Sequence, residues 1–192
     1  MERGRSAGQA AAAGEAPGDE LQDFDSLVEQ HRPRVFRFLL ASLRNRETAE
    51  NLTQDCFIRA YQARAGFRGA SSVGTWVMQI AANLARNHES SSRLKFWRRS
   101  LQSQEDVADL GRAIPDGQHS PEALALIREQ VQAVWSVAGN LPPRQRTVFL
   151  LRFVEDMDLL EIAEVTGMKE GTVKVHLFRA LQSVRARLEG TK

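Results

Sequence analysis

Apolar residues recur every three or four positions between Phe24 and Asn45, which is the spacing of one face of an α-helix. Pro33 is expected to separate two helices in this stretch, because proline has no N–H to donate and suits a first-turn position. A second stripe with the same period runs from Thr48 to about Ala65, and either Asn45 or Thr48 is suited to cap its start. The two stripes consist of Phe24, Leu27, Val28, Val35, Phe36, Leu39, Leu40 and Leu43, and of Ala49, Leu52, Cys56, Phe57, Ala60 and Tyr61.

A Gly/Ser-rich loop at Gly66–Gly74 precedes a third apolar stripe that extends to Leu84. Ser71 or Ser72 is suited to cap that third helix. No stretch alternates with period two for long enough to predict a sheet. Across Ser90–Pro121 the periodicity gives way to Ser, Gln, Asp, Gly and Pro, which is typical of a linker.

The rest of the chain is again helical in pattern. Ser120 and Pro121 are suited to the N-cap and first position of a helix, and Leu141-Pro142-Pro143 ends it and opens another that reaches about Phe153. Two short helices are predicted after it, at Asp158–Val165 and Gly171–Leu188. The predicted fold class is therefore all-α, with two small helical domains joined by a flexible acidic linker. Its parts are a disordered tail at residues 1–23, a helical domain at 24–92, the linker at 93–121 and a second helical domain at 122–192.

Composition places this 192-residue chain among ordinary globular proteins, with 42% hydrophobic and 26% charged residues. No apolar run is long enough to cross a bilayer, and the Ala-rich N-terminus is too weakly hydrophobic for a signal peptide, so a cytoplasmic protein is expected. The single cysteine, Cys56, cannot form an internal disulfide, which fits a reducing compartment. Four histidines and one cysteine without clustered ligand spacing predict neither a metal site nor a cofactor.

Charge is distributed unevenly along the chain. Residues 24–99 carry thirteen basic and six acidic side chains, whereas residues 100–140 carry two basic and six acidic ones. A basic N-terminal half is the electrostatic footprint of a protein that binds a polyanion, although a solvated basic surface explains the charge equally well.

The segment Leu159–Val173 has the spacing of a helix-turn-helix. Ala163 is small where two helices cross closely, Gly167 supplies the positive φ of the tight turn, and Val173 anchors the second helix. Thr172, or the turn just before it, is suited to cap that helix. Helical hairpins produce similar patterns by chance, so the spacing favours DNA binding without deciding it.

The last predicted helix has two different faces. Its apolar face, which must pack in the core, contains Val173, Leu177, Ala180, Leu181, Val184 and Leu188. Its opposite face interleaves Val175 and Phe178 with Lys174, Arg179 and Gln182. Apolar groups can meet thymine methyls while cations bind guanine edges or phosphates, so this face suits a major groove. The alternative is that Phe178 packs against a neighbouring domain or partner protein.

The loop Phe67–Ser72, with Trp76 and Asn83 after it, is a candidate contact for single-stranded DNA, because an extruded base needs a pocket with hydrogen-bond partners. The alternative is that Trp76 is a core residue, since it lies in register with Ile80 and Leu84.

The two halves together resemble the extracytoplasmic-function (ECF) group of sigma factors, within the sigma-70 family of bacterial RNA polymerase. The resemblance covers nearly all of residues 24–188. In the first half it rests on Ala49-Glu-Asn-Leu-Thr-Gln-Asp55-Cys-Phe57, Phe67-Arg68-Gly69, Thr75-Trp76 and Ile80-Ala81-Ala82-Asn83. In the second half it rests on Leu141-Pro142, Gln145-Arg146, Glu161-Ile162-Ala163, Gly171-Thr172-Val173 and Phe178-Arg179-Ala180. Each fragment is weak alone, but their order is specific.

The resemblance implies a sigma factor that binds core polymerase, recognises promoter DNA and initiates transcription, with no catalytic site. It identifies 24–92 as region 2-like and 122–192 as region 4-like. It implies that Glu50, Asn51, Gln54, Asp55 and Arg59 dock on the clamp helices of the polymerase β′ subunit. It implies that Phe67, Arg68, Ser71, Ser72, Trp76 and Asn83 take part in promoter melting. The duplex upstream promoter element would be bound by Thr172, Lys174, Val175, His176, Phe178, Arg179 and Gln182.

The same resemblance implies an anti-sigma factor as a further partner and association with the bacterial nucleoid when active. Gly171–Leu177 also resembles the DNA-binding helix of LuxR-type activators, which is the nearest alternative function. A pure protein-interaction module is a third possibility, and an enzyme with Cys56 as nucleophile a fourth. The inward position of Cys56 on its helix argues against the last.

Overall fold

The computed structural model describes residues 23–96 and 134–189, called here the N-terminal half and the C-terminal half. Within these two ranges the regular structure is helical, which confirms the predicted all-α class. The α-helices are α1 (Phe24–Leu43), α2 (Arg46–Ala63), α3 (Val73–Phe96), α4 (Pro143–Phe153), α5 (Leu159–Thr166) and α6 (Glu170–Glu189). A short 3-10 helix (Arg64–Gly66) follows α2, and residues 134–139 are also helical.

Helix α1 runs without interruption through Pro33, so the prediction of two helices between Phe24 and Asn45 is wrong. Pro33 is exposed, and its missing N–H removes one bond of the helical ladder. The same helix buries Leu27, Val35 and Phe38, and this packing offsets the loss. Tertiary burial therefore overrides the local signal that proline gives.

Side chains on the residues before α2 and α3 settle which candidates cap these helices. The Asn45 side chain accepts a hydrogen bond from the Thr48 N–H at 2.7 Å, so Asn45 is the cap of α2. The Ser72 hydroxyl accepts one from the Thr75 N–H at 3.0 Å, which makes Ser72 the cap before α3. The three helices of the N-terminal half pack around Phe38, Leu39, Ala49, Cys56, Ala60, Val77 and Ala81, each with no exposed surface.

The C-terminal half contains the predicted helix-turn-helix. Helix α5 begins with a capping box in which Asp158 accepts from the backbone of Glu161 while the Glu161 side chain accepts from the Asp158 N–H. Gly167 ends α5 with φ of 68°, as the sequence predicts for the tight turn. Val173 is fully buried in the first turn of α6 and packs with the core of the half. Because α6 begins at Glu170, Thr172 lies inside the helix rather than at its cap.

The two halves pack against each other. Helix α3 contacts α5, and α1 contacts α4. The helical segment 134–139 also approaches the N-terminal half, because Gly139 lies against the Arg44 side chain and a Cβ there would be 2.5 Å from Nη1 of Arg44. The Gln79 amide donates to the Glu164 backbone carbonyl at 3.4 Å, and Arg146 pairs with Glu89.

Some predicted segments lie outside the described residues. They are residues 1–22, the linker beyond Phe96 and the helix opened by Ser120 and Pro121, except for residues 134–139. Helix α3 extends to Phe96, so the first four residues of the predicted linker 93–121 are helical. None of the described helices is both long and apolar enough to cross a membrane.

Candidate nucleic-acid and protein interfaces

The outer face of α6 exposes two large apolar side chains. Phe178 is 61% exposed and Val175 is 47% exposed, while Ala180 and Val184 on the opposite face are buried. The structure brings the predicted reading residues Thr172, Lys174, Val175, Phe178, Arg179 and Gln182 to this exposed side of the helix. We call this set the α6 surface. It combines two apolar groups with two cations, a composition that suits the base edges and phosphates of a major groove.

One cation of the α6 surface already has a partner. The Lys174 ammonium lies 2.6 Å from a carboxylate oxygen of Glu170, one turn earlier on the helix. Both side chains are largely exposed, at 59% and 41%. A phosphate that binds Lys174 therefore competes with this carboxylate for the ammonium.

His176, also a predicted reading residue, is only half exposed, and its Nδ1 finds no hydrogen-bond partner among the described residues. Desolvation lowers the pKa of His176, and the charges of Arg144 and Arg179 lower it further. The imidazole is thus neutral at pH 7 in the free protein. Arg144, on the first turn of α4, is a residue that sequence reasoning missed. Its proximity to α6 depends on tertiary packing, of which the sequence pattern gives no sign.

The loop between α2 and α3 is attached to α3 by an aromatic contact. The ring centroids of Phe67 and Trp76 lie 5.0 Å apart. Arg68 and Ser72 are exposed and Ser71 is half-buried, so the loop presents polar groups and a cation next to this pair. Trp76 packs against the core yet remains partly exposed, which lies between the two alternatives that the sequence leaves open.

Asn83 lies two turns beyond Trp76 on the same face of α3, about 10 Å along the helix. Its side-chain oxygen accepts a hydrogen bond from Arg86 at 2.6 Å. Asn83 also lines a cavity of about 230 Å³ between the two halves, opposite Arg144 and Met168. Of the predicted melting residues, Asn83 is the one that lines this cavity.

A groove of about 700 Å³ runs between α1 and α2. Three of the predicted polymerase-docking residues, Glu50, Asn51 and Gln54, line it. The other two, Asp55 and Arg59, form an ion pair at 3.0 Å and lie outside it. Sequence reasoning missed the apolar residues of the groove, which are Phe24, Val28, Phe57, Ile58 and Tyr61.

Two of these apolar residues are largely exposed. Ile58 and Tyr61 each expose 49% of their surface, and the Tyr61 ring packs edge-on against Phe24 with centroids 5.1 Å apart. Tyr61 was predicted on the buried stripe, and its exposure shows that this position lies at the border of the stripe. Ile58 falls off the stripe altogether, which is the sequence signal that could have identified the groove. Polar and apolar groups side by side suit a protein partner.

Cys56 is buried between α2 and α3. Its thiol donates a weak hydrogen bond to the Val77 carbonyl at 3.6 Å. Burial raises the pKa of Cys56 to about 12, and the charge of Asp55 adds to the rise. A protonated, inaccessible thiol cannot act as a nucleophile at neutral pH.

Two family models match separate parts of the chain. Sigma-70 region 2 matches residues 27–95, which include all of α2 and most of α1 and α3. Sigma-70 region 4 matches residues 132–184, which include the helix-turn-helix.

Curated proteins match over most of their length. The chain is 31% identical over 173 residues to the RNA polymerase sigma-H factor of Pseudomonas aeruginosa, covering 86% of each protein. It is 25% identical over 166 residues to the ECF RNA polymerase sigma factor SigW of Bacillus subtilis, covering 86% of this chain and 88% of that protein.

Solved structures share the fold at low identity. The sigma factor RpoE of Bartonella quintana, in complex with the anti-sigma factor NepR, matches with a TM-score of 0.68 and 21% identity, covering 88% of this chain and 98% of that one. CnrH, in complex with the cytosolic domain of CnrY, matches with a TM-score of 0.63 and 19% identity, covering 92% and 96%.

Proposed function

The chain belongs to the ECF group of the sigma-70 family, so it is an RNA polymerase sigma factor that recognises promoters and initiates transcription. We propose which of its surfaces perform each of these steps. The observation that best supports a DNA-binding role is the α6 surface, where Val175 and Phe178 are exposed beside Arg179. Two large apolar groups gain nothing from contact with water, whereas on a face that reads DNA they can contact thymine methyls. The proposed site of action is the nucleoid of the bacterial cytoplasm.

The α6 surface is the proposed reader of the upstream promoter element in duplex form. Gly167 ends α5 in a tight turn and the buried Val173 packs the first turn of α6 into the core, which leaves the outer face of α6 free to enter a major groove. Phe178 and Val175 meet thymine methyls, and Arg179 binds a guanine edge or a phosphate. Arg144 and His176 lie at the edge of this surface, and we assign them to the DNA backbone next to the bases that α6 reads.

The loop between α2 and α3 is the proposed site of promoter melting. Phe67 and Trp76 offer ring faces and edges to an unstacked base, Arg68 offers charge to its phosphate, and Ser71 and Ser72 offer hydroxyls. Asn83 is assigned to the next part of the same single strand, two turns further along α3. The partial exposure of Trp76 supports the proposed role of the loop in melting, since a fully buried ring cannot stack on a base.

The groove between α1 and α2 is the proposed docking site for core polymerase, specifically for the clamp helices of the β′ subunit. Glu50, Asn51 and Gln54 supply its polar rim, and Ile58 and Tyr61 supply exposed apolar area. The ion pair of Asp55 and Arg59 places one negative and one positive group next to the groove. Interfaces draw most of their affinity from a few apolar and aromatic anchors surrounded by polar groups, which is the composition of this groove.

An anti-sigma factor is the remaining proposed partner. One of the two similar structures named above contains a sigma factor bound to such a protein, and the other contains CnrH bound to the cytosolic domain of CnrY. A protein of this kind would bind this chain in its folded form and keep it from polymerase.

Reconstitution tests the function directly. The purified chain, core RNA polymerase and fragments of the source genome are mixed, and the transcripts are mapped. We expect discrete start sites that depend on the chain and vanish when it is omitted. A LuxR-type activator would give no transcripts under these conditions until a second sigma factor is added, and that outcome would overturn the proposal.

A further inference from the structure

Gly171 lies in the first turn of α6 with an ordinary helical backbone. The Lys169 carbonyl accepts hydrogen bonds from the Thr172 and Val173 N–H groups at 2.8 and 3.1 Å, so the helix has already begun at this point. Gly171 does not have the positive φ that makes glycine necessary at Gly167. Its conformation therefore gives no reason for glycine, which is the least favourable residue in a helix interior apart from proline.

Internal packing gives no reason for glycine at this position either. A Cβ added at Gly171 would have no atom of the described residues within 4 Å, apart from the backbone of its own helix. At Gly139, by contrast, a Cβ would collide with the Arg44 side chain. An alanine at position 171 would thus fit the free protein and favour the helix. A glycine on an open helix face is explained if something outside the chain approaches the backbone closely there.

The direction in which Gly171 faces indicates what approaches it. With 3.6 residues per turn, four exposed positions lie within about 60° of one another around α6. They are Gly171, Val175, Phe178 and Gln182, and we call them the α6 ridge. Gly171 is the N-terminal end of this ridge. In a helix-turn-helix protein, the N-terminal residues of the second helix are the ones that contact base edges.

The charges around Gly171 favour DNA as the approaching partner. Residues 169–182 contain three basic side chains and one carboxylate, that of Glu170. The three cations are Lys169, Lys174 and Arg179, and all are exposed. Glu170 is paired with Lys174, so the net charge of this end of α6 is positive. An excess of positive charge beside an open backbone suits the phosphates on either side of a major groove.

We propose that Gly171 is a positioning residue for promoter recognition: duplex DNA lies in van der Waals contact with its Cα, and the missing side chain sets how deeply the α6 ridge enters the major groove. A methyl group at this position holds the ridge away from the bases, so that Val175 and Phe178 lose their contacts together. The inference rests on the proposed function, because it takes duplex DNA as the partner of the α6 surface.

Thermal unfolding separates this role from a purely structural one. Gly171→Ala and Gly171→Leu should each raise the Tm of the full-length protein by about 1–4 °C, because both residues favour a helix more than glycine does. A residue that the fold itself requires would behave in the opposite way. A lower Tm in Gly171→Ala would therefore overturn the inference.

Binding of the reconstituted holoenzyme to a duplex fragment with a mapped promoter tests the contact with DNA. Overpacking a close contact should raise the Kd about fivefold for Gly171→Ala and further for Gly171→Leu. The matched control is Ala186→Leu, which enlarges an exposed residue about four turns later on α6 and should leave the Kd unchanged. Parent-like affinity in both Gly171 variants, or an equal loss in the control, would overturn the inference.

A double mutant tests whether Gly171 acts through the ridge. If a leucine at position 171 already lifts Phe178 from the bases, adding Phe178→Ala to Gly171→Leu should cost little further affinity. Fully additive losses would show that Gly171 does not position Phe178. The proposed function fails by a different result, in which the parent chain supports no transcripts with core polymerase and has no preference for promoter duplex. The inference about Gly171 fails while the parent remains active, so the two failures are distinguishable.

Discussion

Phe67 and Trp76 face each other across the start of α3, with their ring planes tilted by 43°. The contact fixes the loop between α2 and α3 on the helix that follows it. A loop held in place before DNA arrives loses less conformational freedom when it binds. The aromatic pair is therefore expected to prepare the loop for an unstacked base.

Replacing Phe67 by alanine tests this role. An aromatic pair contributes about 0.5–1.5 kcal/mol beyond the area that it buries, so Phe67→Ala should slow promoter opening by up to about tenfold. Permanganate reactivity of unpaired thymines measures the opening, and gel retention of the closed complex measures duplex binding. Phe67→Tyr keeps the ring and should behave as the parent. Equal opening rates for the alanine variant and the parent would contradict the role.

Loss of Phe178 or Arg179 should weaken promoter selectivity. Each base contact is worth about 1–3 kcal/mol, so Phe178→Ala and Arg179→Ala should each reduce the preference for promoter over scrambled duplex by about fivefold or more. Competition binding of the reconstituted holoenzyme measures the preference. Binding to core polymerase should stay at the parent level. Arg185→Ala, two turns later on α6, removes the same charge and is the control. Full transcription of the promoter by either variant would show that α6 does not read it.

A charge in the groove between α1 and α2 should weaken the complex with core polymerase. Ile58→Asp places a carboxylate where an exposed apolar side chain now stands, and anchors of this kind are commonly worth more than 1 kcal/mol. The dissociation constant measured by labelled-core titration should rise about tenfold. Ala65→Asp adds the same charge at an exposed position outside the groove and should have little effect. Equal affinities for the two variants would exclude this groove as the docking site.

The capping box of α5 predicts a loss of stability. Asp158 accepts hydrogen bonds from the Leu160 and Glu161 N–H groups, both at 2.8 Å. Asp158→Ala leaves these donors without that partner and should lower the free energy of unfolding by about 1 kcal/mol. Asp158→Asn can still cap the helix and should lose much less. Chemical denaturation followed by circular dichroism compares the two, and equal losses would show that the cap oxygen is not responsible.

Protonation of His176 should make DNA binding depend on pH. Its pKa is lowered in the free protein, first by desolvation and then by Arg144 and Arg179. A phosphate placed beside it favours the charged ring, so binding takes up a proton. Promoter affinity should therefore increase as the pH falls from about 7.5 to about 5.5, and His176→Gln should flatten that increase. A slope that survives in the variant would assign the proton to another group.

Lower pH has the opposite effect on folding stability to its effect on promoter affinity. The folded state binds a proton at His176 less readily than the unfolded chain does. The stability contributed by the neutral ring is therefore present above the unfolded pKa of about 6.5 and falls as the pH drops below it.

Local signals in the sequence predicted the C-terminal half well. Gly167 stands where the turn needs a positive φ, and its φ is 68°. The helical period placed Val173 and Ala180 in the core and Phe178 outside, and all three are found there. These features depend on residues within a few turns of one another, which a single sequence displays directly.

Relationships over longer distances were not predictable from the pattern. Pro33 carries a strong local signal for a break, yet the burial of Phe38 and its neighbours keeps α1 continuous. The bonds between Glu155 and Arg34 join residues far apart in sequence, and neither residue differs in type from an ordinary surface charge. Exposed Ile58 was missed because one apolar residue outside a stripe is common in any helix.

The pairing of Lys174 with Glu170 has a consequence for how the protein searches a genome. A free lysine gains affinity for any DNA by releasing condensed counterions from a phosphate. Where Glu170 already neutralises that lysine, part of this gain is spent on breaking the existing pair. That cost is the same in every complex that uses Lys174, so it lowers the affinity for arbitrary sequence and for the promoter by the same factor, and Phe178 and Arg179 are expected to restore affinity at the promoter alone. If α6 reads DNA as proposed, we expect this single carboxylate to shorten the time that the protein remains bound to DNA without a promoter.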